Sequence, residues 1–180
     1  VGSEMCIRDR VYCGNMRHAM AGFMGKAAGH EFICDCHKDP WIRANIVAAF
    51  EEAHAAIVQE YSFDPAEDAE WVEFIYSKLD ADVKDPVDRV IAKTDEKLSH
   101  DNRFVGPALM CLRHGIVPFY LARGIAYGLD CLAAEQGVEL KDDAAVRAYA
   151  RETCSLGEDE WMLLDLVAKQ HADIAFRAAE

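Results

Sequence analysis

Hydrophobic residues recur along this chain at three- and four-residue spacing, the period of one helix face. Residues 15–29 show it first: Met20, Phe23, Met24 and Ala27 form an expected packing stripe, and Gly29 stops the helix. A connector over 31–37 leads to Asp39-Pro40, with Pro40 suited to the first position of a helix over 41–61. In that helix Ile42, Ile46, Ala49, Phe50, Ala53, Ala56, Ile57 and Tyr61 mark the apolar side. Asp64 is the expected cap and Pro65 the first residue of the next helix, which carries Trp71, Phe74, Ile75 and Leu79 on one side. Asp85-Pro86 opens a shorter helix containing Val87, Val90 and Ile91, and 94–102 is polar and partly looped. Residues 104–112 read as a helix with Pro107 near its first turn and Gly115 past its end. Pro118 then starts a helix over 119–133, where Gly124 and Gly128 permit close approach of a neighbour. Helices over 142–151 and 158–179 complete the chain, the second patterned through Trp161, Leu164, Leu166, Val167 and Ile174. No stretch alternates apolar and polar residues long enough to demand a sheet, so eight helical segments in an all-α domain are expected.

The first ten residues, Val1 to Arg10, have neither hydrophobic period nor capping logic and resemble a translated sequencing adapter. On that reading they are an artefact, and the native chain lacks its beginning. The 170 residues from 11 to 180 fit one domain with a sizeable core. They hold 17 basic and 30 acidic residues, a balance of −13 that argues against binding nucleic acid through its phosphates. Six cysteines remain: Cys13, Cys34, Cys36, Cys111, Cys131 and Cys154. A chain this rich in apolar residues needs no disulfide staples, so they read as reduced thiols in a cytoplasmic protein. No apolar run approaches the roughly 18 residues of a membrane helix.

Three groups of residues are candidates for chemistry. Asn15 and His18 lie only about 60° apart on a helix, so both could present to one ligand. The structural alternative is a capping Asn and a packed histidine. Cys34-Asp35-Cys36-His37 resembles half of a metal site but lacks a second ligand pair, so no metal is expected. Between residues 83 and 123 stand Lys84, Arg89, Lys93, Lys97, Arg103, Arg113 and Arg123 against five acids, a local balance of +2. Such cations suit an anionic or hydroxyl-rich ligand, or else ordinary solvated helix faces. The chain contains no Gly-x-Gly-x-x-Gly, Gly-x-Ser-x-Gly or phosphate loop.

Asn15-x-x-His18-Ala19, Gly25-Lys26 and Ala28-Gly29-His30 resemble the polyol-specific long-chain dehydrogenases, the mannitol dehydrogenase family. The likeness continues through Glu51-Glu52, Tyr61-x-Phe63-Asp64, Asp88-Arg89-Val90, Lys97-Leu98-Ser99, Arg103 and Gly124-Ile125-Ala126. It implies a helical C-terminal substrate domain of the 6-phosphogluconate dehydrogenase-like type, preceded in the whole enzyme by a Rossmann domain that binds most of the NAD. The implied activity interconverts mannitol 1-phosphate and fructose 6-phosphate. A free polyol or a hexuronate is the alternative within the family, and a non-catalytic helical anion-binding module the alternative outside it. The family's pattern Lys-x-x-x-x-Asn-x-x-His puts its last two members on Asn15 and His18 and its lysine at position 10, where Arg10 stands.

The resemblance further implies roles. Asn15 would stabilise developing oxyanion charge, His18 would orient an adjacent hydroxyl, and Arg103 would hold the substrate. Where phosphate-handling relatives have Val-x-Arg-x-Pro-x-Arg-Lys-Leu, this chain reads Val90-Ile91-Ala92-Lys93-Thr94-Asp95-Glu96-Lys97-Leu98. Two arginines are thus replaced by Ala92 and Glu96. Lys93, Lys97 and Arg17, the last where small residues are usual, are the cations left to compensate.

Overall fold

A computed structural model describes residues 9–82 and 84–178. The adapter-like segment lies outside the described residues, except for the backbone of Asp9 and Arg10. That backbone begins a π-helical turn, Asp9–Asn15, which runs directly into α1, Met16–Ala28. There follow α2 Ile33–Lys38, α3 Pro40–Glu60, α4 Pro65–Ser77, α5 Val87–Ile91 and α6 Thr94–Leu98. The chain continues with α7 Val105–Arg113, α8 Phe119–Gln136, α9 Asp143–Thr153, a 3₁₀ turn Glu158–Glu160 and α10 Trp161–Ala178. The domain is all-α: among the described residues, backbone pairing outside the helices amounts to one antiparallel bridge, Phe32 with Pro86.

α1 lies at the centre and packs against α2, α3, α5 and α8. Its apolar residues therefore do not form a single stripe: Met16, Ala19, Met20, Ala21, Phe23 and Met24 are all buried, on several sides. Ala27, expected to pack, is exposed because it lies in the last turn, beyond the layer of neighbours. Gly29 ends the helix as expected, at φ 77°, with the amides of Gly29 and His30 donating to Lys26 and Gly25 carbonyls. The central position of α1 requires close approaches. A Cβ at Gly22 would meet Val90 at 2.8 Å, and one at Gly25 would meet Cys36 Sγ at 2.2 Å. α8 does the same on the other side, where Gly124 faces Phe104 and Gly128 faces Leu98 and Phe23.

Two short helices escape the periodicity analysis. The expected connector over 31–37 is largely α2, whose Ile33, Cys34 and Cys36 are buried, and α6 occupies part of the expected loop over 94–102. Six and five residues are too few for a 3.6-residue period to show. The cap signals hold: Asp39 accepts from Trp41 and Ile42 amides ahead of α3, and Asp64 from Ala66 and Glu67 amides ahead of α4. α4 is fastened by rings, with Trp71 and Tyr76 against Phe50, and Trp71 also against the imidazole of His54. Phe74 and Trp161, expected on packed faces, are 53% and 58% exposed. Phe74 is instead covered by the Lys78 ammonium, and α10 buries Leu163, Leu164, Val167 and Ala168. α10 is tied to the core through the buried Arg123, which donates to Asn45, Gln170 and Asp173 on α3 and α10.

Candidate functional site

The junction of the π-helical turn with α1 carries the first candidate pair. Asn15 occupies the position before the helix but has φ −75° and ψ −33° and makes no side-chain capping bond. A capping Asn needs extended backbone. The π-helical turn keeps Asn15 helical, so the capping role weighed for it is not realised and its side chain is exposed.

His18, one turn on, is half exposed, and its Nε2 lies 3.0 Å from Asp85 Oδ2. Asp85 is buried, and Arg89 reaches both of its oxygens, Nε to Oδ1 at 2.6 Å and Nη2 to Oδ2. The backbone fixes this carboxylate: Ile33 N donates to the Asp85 carbonyl at 2.9 Å, and neighbouring Pro86 bridges to Phe32. The Arg89 guanidinium and then the His18 ring hold the Asp85 carboxyl below its ordinary range. Burial lowers the His18 pKa in spite of Asp85. A neutral His18 beside an ionised Asp85 donates from Nε2–H, which leaves Nδ1 as an acceptor. Nδ1 can thereby accept a hydrogen bond from a ligand hydroxyl.

Arg17 and His37 make the adjoining part of the site. Both are buried, at 8% and 6% exposure, and Arg17 Nε and Nη1 and His37 Nδ1 and Nε2 are buried without a hydrogen-bond partner among the described residues. Burial lowers Arg17 to about 10, which still leaves it charged at neutral pH. His37 is pushed down to about 4 by burial and then by Arg17, His18 and Arg43. Sequence reasoning missed Asp85, Arg89 and His37 as parts of this place. Asp85 reads locally as a helix opener and His37 as half of a metal motif. Among the described residues no group of three or more His, Cys, Asp or Glu is placed to hold a metal ion.

The remaining candidates gather elsewhere, around α6. Lys93 adopts a left-handed backbone at φ 58° and pairs with Glu96 at 3.0 Å. Lys97 folds back onto the Ala92 and Lys93 carbonyls, and its pKa is lowered by burial and by Arg103. Arg103 Nε donates to Asn102 Oδ1 at 3.1 Å, and its pKa is lowered by burial. These three form one cationic group. Arg17 and His18 belong to the other.

The description "Mannitol dehydrogenase C-terminal domain" belongs to the family model that matches residues 8–174. Over 159 residues the chain is 33% identical to a mannitol-1-phosphate 5-dehydrogenase of Bacillus licheniformis, an overlap that covers 85% of this chain and 42% of that relative. The chain thus spans less than half the length of this curated relative. With a helical domain, an Asn-x-x-His pair at the head of its central helix and a family model matching nearly its whole length, the chain belongs to the mannitol dehydrogenase family, to whose C-terminal domain it corresponds.

Proposed function

We propose that this chain is the substrate-binding part of an NAD-dependent polyol or polyol-phosphate dehydrogenase, interconverting a sugar alcohol such as mannitol 1-phosphate with its ketose. The supporting observation is the His18–Asp85–Arg89 chain of hydrogen bonds beside the exposed, non-capping Asn15. Oxidation of a secondary alcohol moves a proton from oxygen to a base and a hydride from carbon to the nicotinamide, the chemistry that NAD supplies when bound. As charge grows on the alcohol oxygen, the Asn15 amide N–H suits its stabilisation. His18 Nδ1 accepts a hydrogen bond from a neighbouring hydroxyl, and Asp85 holds the ring in that tautomer.

The chain offers no glycine-rich phosphate loop, so the dinucleotide falls to a preceding domain. Its exposed Asn15 and half-exposed His18 fit the substrate side of such a pair. The proton-accepting lysine of the family pattern falls at position 10, and an arginine there cannot serve, because a guanidinium does not release its proton. This chain by itself is therefore expected to be inactive. The deprotonated lysine of the intact enzyme would take the hydroxyl proton, provided its pKa is brought down from about 10.4 toward neutrality.

The test is to join the native upstream coding sequence and assay NAD-linked reduction of fructose 6-phosphate, free ketoses and keto-uronates. Turnover of one of these is expected, and none across all three classes overturns the reading. In that whole enzyme Asn15→Ala should lower kcat at least about tenfold with the fold intact by circular dichroism, as loss of an oxyanion donor does. A near-normal kcat would reject the role given to Asn15.

A further inference from the structure

Arg17 stands out as a buried residue whose guanidinium nitrogens Nε and Nη1 have no acceptor among the described residues. Among the described residues, burial lowers its pKa and the Cys13 thiol is the group that opposes this. An uncompensated buried charge is normally eliminated or paired, because its desolvation is not repaid. Its neighbour on α2, His37, repeats the anomaly with both ring nitrogens buried and unpartnered. Proteins contain few such groups, and each calls for an explanation.

The surroundings are also positive. The carboxylates here, Asp85 and Asp80, are already held by Arg89 and Arg43. Arg17 and His18 are consecutive on α1, and α2, which carries His37, packs against α1, so the unpartnered donors lie on the same helix pair as the ring proposed to meet the substrate. The chemistry that matches these donors is that of an oxyanion. A planar guanidinium fork matches two oxygens of a phosphate or a carboxylate, and a neutral imidazole adds one further N–H.

We propose that Arg17 and His37 form an anion subsite that takes the phosphate or carboxylate of the substrate at a distance from its reacting carbon. This rests on the dehydrogenase reading for the identity of the substrate, but not for the binding of the anion. It places substrate discrimination on the α1–α2 contact, in addition to the cations around α6.

The test titrates the 180-residue chain with inorganic phosphate and, separately, with acetate at constant ionic strength and pH 7, using calorimetry and histidine ring NMR. Saturable binding of at least one anion is expected, with the His37 ring resonances moving and its pKa rising as the anion accumulates. Tighter phosphate binding identifies a phosphorylated substrate, and tighter acetate binding a uronate-type one. Arg17→Gln and His37→Gln should each weaken binding at least tenfold, and Arg17→Lys, which keeps charge but loses the fork, by an intermediate factor. Absence of saturable binding, or equal binding by folded Arg17→Gln and His37→Gln, overturns the proposal. In the whole enzyme, Arg17→Gln should lower the ratio of kcat/KM for phosphorylated over free ketose, or for keto-uronate over free ketose, at least tenfold. An active enzyme with both ratios unchanged defeats the subsite and leaves the dehydrogenase reading intact. Anion binding through Arg17 without dehydrogenase activity does the reverse.

Discussion

Gly25 shows how strictly a single residue can be specified by its neighbours. It sits on α1 where α2 crosses, and an added Cβ would stand 2.2 Å from Cys36 Sγ, an atom of a fully buried side chain. Replacing glycine by alanine inside a helix ordinarily gains up to about 1 kcal/mol. Overpacking a rigid contact costs about 1–3 kcal/mol, so here it prevails. Gly25→Ala is expected to lower stability by about 1–2 kcal/mol in urea unfolding, and the same change in a Cys36→Ala background should recover most of the loss. Equal stability of Gly25→Ala and the parent would disprove the contact. The residue scale also separates what was legible at the site from what was not. Asn15 and His18 were readable because they lie one helical turn apart. Asp85, which sets the His18 tautomer, lies 67 positions away and carries no local mark of that role.

Among the elements, α8 takes its N-terminal cap from a distant partner. Its leading residue Pro118 supplies no side-chain cap, and Glu52 of α3 supplies one instead, accepting from Tyr120 N at 2.9 and 3.0 Å and from Leu121 N at 2.9 Å. Glu52→Ala leaves these amides without their acceptor and should cost about 1–2 kcal/mol, the usual range for a lost cap. Faster hydrogen exchange at Tyr120 and Leu121 is the direct readout, and unchanged exchange would count against the cap. The contrast with α3 and α4 is instructive. Their caps, Asp39 and Asp64, stand beside the prolines they precede and were visible locally. Glu52 is 68 residues from Tyr120, and only the crossing of α3 with α8 brings them together.

Over the whole molecule, opposed titrations shape the response to pH. Burial pushes the Glu52 carboxyl up to about 7, so the fold favours its protonated form, and the stability it contributes is lost as pH rises from about 4.5 to about 7. Burial and nearby cations push His37 down to about 4, so its contribution is complete above about 6.5 and is lost as pH falls toward 4. His18, lowered from its ordinary value, acts in the same direction as His37. His100, raised by its bond to Glu160, acts above about 6.5, where its contribution declines with rising pH. Between pH 5 and 6.5 the Glu52 and His37 effects oppose one another, each on the order of 2–3 kcal/mol at full extent. Stability of the chain should therefore vary little in that window. Glu52→Gln should make it rise with pH, and His37→Leu should make it fall. Parallel profiles for the parent and both variants would contradict the assignment.

Local chemistry alone determined much of this protein. The long helices, their proline and aspartate starts, the glycine stops and the all-α class follow from periodicity and from backbone constraints that act within a few residues. The tertiary structure decided matters that depend on distant segments meeting. It made α1 a central helix buried on several sides, turned short polar stretches into α2 and α6, and joined Asp85 and Arg89 to His18. It also buried Arg17 Nε and Nη1 and both ring nitrogens of His37 without a hydrogen-bond partner among the described residues. Burial and electrostatic pairing are sums over all neighbours in space, and along the chain those neighbours are dozens of residues apart.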